Sequence, residues 1–120
     1  MVPVKNIKKK AELTQLELVK FQLVTYCYFE KVTVSEAVIE MLARLCIAGT
    51  TELSSFCKEM ADLKVFASPQ VIRNSIISSE EKNLVIKEGK KKMIRIHPAL
   101  NIEHEGNILL DFKLLCRAAS

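Results

Sequence analysis

Gln70, Arg73, Asn74 and Ser78 recur at short helical steps, so on a helix they share one face, opposite Ile72 and Ile76. Their side chains suit the edges of base pairs. An arginine can bridge O6 and N7 of guanine, and an asparagine or glutamine can bridge N6 and N7 of adenine, each good pair giving about 1 to 3 kcal/mol of discrimination. A merely solvated helix surface carries the same residue types, so the set gains its weight from a second cluster further along the chain. That cluster is Lys90, Lys91 and Lys92, in a loop beside Gly89, where ammonium groups could contact phosphates without reading sequence.

Nothing comparable exists for catalysis. His97 precedes Pro98 and His104 stands between Glu103 and Glu105, and neither is spaced to join a nucleophile and an orienting group. Both read as surface histidines, and there is no glycine-rich phosphate loop. Cys27, Cys46, Cys57 and Cys116 lie in apolar surroundings without the close pairs of a zinc site, which predicts buried reduced thiols. The expectation is a binding protein with no enzyme activity, no cofactor and no metal.

The elements that must position these residues are those of one domain spanning 1–120. Nearly half the residues (49%) are apolar, while glycine and proline number three each, which excludes a disordered or low-complexity chain. No apolar run reaches the roughly 18 to 20 residues of a membrane span, because Glu17, Lys20 and Gln22 interrupt the most apolar stretch. The opening residues Met1 to Lys5 are not of secretory type, so a cytoplasmic location is expected. The net charge of +4 is modest, but between Lys82 and Arg95 six basic residues face Glu88 alone. Lys5, Lys8, Lys9 and Lys10 form another basic cluster, which reads as an arm along a nucleic-acid backbone or as a solvated run.

Val2 to Ile7 alternates weakly and predicts a short edge strand. Leu13 to Phe29 predicts a helix, with Leu16, Val19, Leu23 and Tyr26 or Cys27 inward. Thr33 and Glu36 are spaced as a capping box for a second helix with the stripe Val38, Met41, Leu42 and Leu45, closed at Gly49. Thr50 or Thr51 would cap a third, whose apolar face runs Leu53, Phe56, Cys57, Met60 and Leu63. Ser68-Pro69 announces a fourth, running to about Lys82 and closed by Asn83. Beyond Asn83, Leu84–Lys87 and Met93–Ile96 read as a β-hairpin around Gly89. Residues 108–116 fit a strand and a helix equally well.

Three stretches carry a resemblance: Thr51-Glu52-Leu53-Ser54-Ser55-Phe56-Cys57, Ser68-Pro69-Gln70-Val71-Ile72-Arg73-Asn74-Ser75-Ile76, and Glu80 through Gly89. Together they resemble the passage from recognition helix to wing in bacterial winged helix-turn-helix regulators, over about Thr33 to Ile96. Val19 to Phe29 and Gly106 to Leu115 are similar to small uncharacterised proteins encoded on bacterial phages and plasmids. The resemblance implies an α+β winged helix of three to four helices followed by a hairpin wing, with an extra amino-terminal helix and short terminal strands. Its helix-turn-helix would cover about 51–82 and its wing about 84–97. It further implies a transcriptional or replication-control factor of a mobile element, binding double-stranded DNA through Gln70, Arg73, Asn74, Ser78, Lys90, Lys91 and Lys92.

Two features depart from the family pattern. Leu63–Ala67 is longer than a simple helix-turn-helix turn and lacks its glycine. Ser75 and Ser79 fall inward, so either the helix packs closely there or it is rotated to bury Val71 and Ile77. Winged helices also serve as protein-docking modules with no nucleic-acid ligand, which is the alternative function. The surplus of apolar residues in Leu13–Phe29 and Ile108–Cys116 leaves room for a homodimer.

Overall fold

A computed structural model of the chain describes residues 4–89 and 92–115. It is an α+β protein with four helices and two small antiparallel sheets. In chain order these are β1 (Val4–Ala11), α1 (Gln15–Phe29), α2 (Glu36–Ala48), β2 (Thr51–Glu52), α3 (Leu53–Asp62), α4 (Pro69–Glu81), β3 (Val85–Glu88), β4 (Met93–Ile96) and β5 (Ile108–Leu115), with a 3-10 turn at Pro98–Leu100.

Local chemistry sets the helix starts. Thr14 and Glu17 form a capping box at α1, the Thr14 hydroxyl accepting from the Glu17 amide while the Glu17 carboxylate accepts from the Thr14 amide. Those Thr14 hydrogen bonds hold the Glu17 carboxyl below the usual range. The α2 cap is Ser35, whose hydroxyl accepts from the Val38 amide; Thr33 therefore does not start this helix. Its carbonyl instead accepts from Lys82 Nζ at 2.8 Å. Neither Thr50 nor Thr51 caps α3. Thr51 and Glu52 are extended and pair with β4, and the Leu53 amide donates to the Lys92 carbonyl at 3.0 Å. The cap of α4 is Ser68, with Pro69 at the first helical position as expected.

Three helices end alike. At α1, α3 and α4 the residue after the cap is left-handed, namely Lys31, Lys64 and Asn83. The next residue, Val32, Val65 or Leu84, donates its amide back to the carbonyl of Cys27, Met60 or Ser79. This closes each last turn in a Schellman arrangement. Leu63 thus leaves the helical stripe and is exposed, because α3 has already terminated. A left-handed conformation costs a non-glycine residue about 1 to 2 kcal/mol, and glycine returns about 0.4 to 1 through the unfolded chain. The pair Lys31→Gly and Lys64→Gly is therefore expected to raise unfolding stability by about 1 to 2 kcal/mol in urea titration. An unchanged or lower midpoint would mean that the lysine side chains themselves hold these ends.

One core joins the helices to the three-stranded sheet, order β2-β4-β3. Val19, Leu23, Met41, Leu42, Leu45, Phe56, Met60, Ile72, Ile76, Leu84, Val85 and Ile94 are its most completely buried large side chains. Cys27, Cys46 and Cys57 are buried free thiols, and burial raises the pKa of each. Cys116 lies outside the described residues. Lys20 and Arg44 both reach Glu40, tying α1 to α2. No helix among the described residues is long and apolar enough to cross a membrane.

The second sheet stands apart. β1 and β5 pair along their whole lengths, from Val4 opposite Leu115 to Ala11 opposite Ile108. The amino-terminal strand thus runs on through Lys8, Lys9 and Lys10 to Ala11, beyond the expected end at Ile7. Residues 108–115 are strand. None of this ribbon's described residues belongs to the core or packs on it. Its projection accounts for a radius of gyration of 17.3 Å, where a compact chain of this length has about 14 Å. The Gln22 side-chain amide clamps the segment leading into β5, accepting from the Glu103 amide and donating to the Glu103 carbonyl, both at 2.8 Å.

Candidate nucleic-acid interface

Helix α4 buries one face and leaves Gln70, Val71 and Asn74 of its first two turns exposed. Ile72, Ile76 and Ser79 are buried, and the Ser79 hydroxyl donates to the Ser75 carbonyl at 2.8 Å, satisfying within the helix the polar atom that burial would otherwise strand. Val71 and Ile77 stay exposed, at 41% and 47%. The helix therefore has the orientation that brings the serines inward.

This orientation leaves Gln70 and Asn74 exposed one turn apart. Gln70 Nε2 donates to Asn74 Oδ1 at 3.0 Å, so each amide fixes the other while its remaining donors and acceptors face solvent. Arg73 leans the other way, donating from one terminal guanidinium nitrogen to Ser54 Oγ of α3 at 3.0 Å. The expected reading residues gain a partner here that spacing did not single out. Ser54 lies within the Thr51–Cys57 stretch, but its pairing across the two helices had no signal in local periodicity. Ser78 is half-buried and lines a groove of about 490 Å³ between α4 and the start of α2, with Val34, Val38 and Lys82 among its walls. It lies at the flank of the exposed face rather than on it.

The hairpin's register places Val85 opposite Ile96 and Glu88 opposite Met93, leaving residues 89–92 as its tip. Gly89 and Lys92 are both left-handed, and Lys92 is exposed. Lys90 and Lys91 lie outside the described residues. Two further cations of the basic stretch are compensated. Lys87 Nζ meets Glu80 at 3.6 Å, and Arg95 Nε meets Glu88 at 2.6 Å. Among the described residues of this stretch, Lys87 and Arg95 on the strands are thus each met by an acid.

The two histidines meet at a separate hollow of about 340 Å³, with Arg95 and Cys46 in its lining. His97 Nδ1 accepts from the Ala99 amide and so starts the 3-10 turn. His104 Nε2 lies 3.5 Å from Cys46 Sγ. Burial pushes that thiol up, which disfavours the thiolate a nucleophile needs. Among the described residues no group of three or more His, Cys, Asp or Glu is placed to hold a metal ion.

No protein family, curated protein or solved structure matches the chain.

Proposed function

We propose that this chain is a winged-helix DNA-binding protein, a transcriptional or replication-control factor of a mobile element. The first turns of α4 would read the major groove, and the lysine tip of the β3–β4 hairpin would contact phosphates. One observation carries the reading. The order α2, β2, α3, α4, hairpin, with β2 added to the hairpin as the third strand, matches the element order of a winged helix, and the first turns of α4 carry Gln70 and Asn74 exposed, with Arg73 half-buried against Ser54. Recognition helices work through their amino-terminal turns, where side chains reach base edges and the helix end favours a phosphate. Ile77 and Glu81 share the outward face but stand in the later turns, away from that end.

The test is selection from a random duplex library at low salt, repeated with Arg73→Ala. Enrichment of one sequence is expected, and the variant should bind it roughly 5- to 150-fold more weakly with relaxed preference at one base pair. Absence of enrichment would sink sequence-specific recognition.

A second reading, a protein-docking winged helix, is favoured by the exposure of Val71 and Ile77. Six positions apart on a helix, they point about 120° from each other, so they do not form one stripe. The DNA reading accounts for more of the surface.

A further inference from the structure

We propose that the outer edge of β5 pairs, antiparallel and centred on Phe112, with the same edge of a second copy of this chain. The result is a four-stranded sheet in the order β1, β5, partner β5, partner β1. This surface is independent of the DNA reading, and either can fail without the other.

The ribbon needs a partner on physical grounds. A two-stranded ribbon is marginal by itself in water, and this one has no support from the core among the described residues. Its register sorts the side chains into two faces. On β5 one side is wholly apolar, Ile108, Leu110, Phe112 and Leu114, and beside it β1 sets Ala11, Lys9, Ile7 and Lys5; the other side includes the pair Lys8 and Asp111. Phe112 and Leu114 are 45% and 47% exposed. Among the described residues each strand pairs on one side only, which leaves two edges open.

Charge decides which edge is used. β1 carries Lys5, Lys8, Lys9 and Lys10 and no acid, so copies pairing there would set lysine beside lysine. β5 carries one acid, Asp111, and one base, Lys113.

Symmetry then decides the register. For two identical antiparallel edges to keep their apolar sides on one face, the two-fold axis must pass through a residue. Centring on Asp111 opposes the two aspartates, and centring on Lys113 opposes the two lysines. Centring on Leu110 leaves Asp111 opposite Leu109. Phe112 alone places Asp111 opposite Lys113 on both sides of the axis. It also sets Phe112 against Phe112, Leu110 against Leu114 and Leu109 against Leu115. Such cross-strand pairs are what stabilise a sheet.

The test uses the full chain. Light scattering at 50 µM should give about 27 kDa, twice the 13.6 kDa of one chain. Asp111→Lys and Lys113→Glu, each alone, oppose like charges twice across the axis and should weaken the dimer roughly tenfold. Mixing the two variants restores both ion pairs across the axis in the heterodimer and should recover most of the lost affinity, the remainder being the Lys8–Asp111 contact that Asp111→Lys removes within the ribbon. Both positions are exposed, and matching circular dichroism checks that each variant is folded. As a geometric check, Phe112→Cys in a Cys116→Ser background should oxidise to a covalent dimer, because directly opposed residues lie about 4.5 to 5.5 Å apart at Cα, within disulfide reach. A monomeric wild type would overturn the proposal and hand the ribbon to some other partner. A dimer indifferent to the single changes, unrescued by mixing, or uncrosslinked through position 112 would overturn it equally.

Discussion

Phe56→Ala is expected to remove about 3 to 5 kcal/mol of unfolding stability, the usual consequence of emptying an aromatic site in a packed core. Phe56 is 1% exposed and heads the fully buried large side chains. It sits on α3 in a core cluster that also draws on α1, α2, α4 and the hairpin. Against a total of about 5 to 15 kcal/mol for a natural domain, such a loss populates unfolded chains measurably. Urea titration checks it, and a loss below about 1 kcal/mol would mean that the site is filled by repacking. The effect extends beyond stability, because Ser54, which holds Arg73, stands on the same helix two residues earlier.

If the chain binds DNA as proposed, changing Lys90, Lys91 and Lys92 together to alanine is expected to flatten the salt dependence of that binding. Each phosphate contact adds about 0.9 to the slope of log affinity against log salt, so three contacts add about 2.7. Between 50 and 200 mM salt that is roughly a 40-fold loss of affinity that the triple variant would not suffer. Sequence preference should be unchanged, since phosphates carry no base information. Equal slopes for the variant and the parent would remove the hairpin from the interface.

Much of the helical body was legible because its signals are local. The stripe of α2, the Ser68-Pro69 start and the Gly49 stop each lie within a few residues of what they specify. So does the hairpin, misplaced by one residue in β3. The sequence leaves the rotation of α4 open, because Ser75 and Ser79 carry no apolar signal. What escaped depends on partners distant in sequence. Thr51 looks like a helix cap in isolation and becomes a strand with Glu52 because β4 and the Lys92 carbonyl claim their backbone and that of Leu53. The lysines of β1 look like a solvated run, and only β5 makes them a strand. The Thr14 and Glu17 capping box is the reverse case, a local signal present in the sequence but masked by the strongly apolar segment beside it. At the interface, residue type and spacing put Gln70, Arg73 and Asn74 on one helix, but the clasp between Arg73 and Ser54 and the neutralisation of Lys87 and Arg95 are tertiary.

The β1–β5 ribbon also has a kinetic meaning. It pairs the two extremes of the described chain, Val4 with Leu115, whereas the helices of the body pack mostly against near neighbours in sequence. Contacts of such long separation carry a larger loop-closure cost than those of the body and slow folding accordingly. The clamp of Gln22 on Glu103 shortens the final search by holding the segment before β5 against α1. If copies pair as proposed, their shared edge exists only where these distant strands have met, which ties dimerisation to closure of the whole described chain.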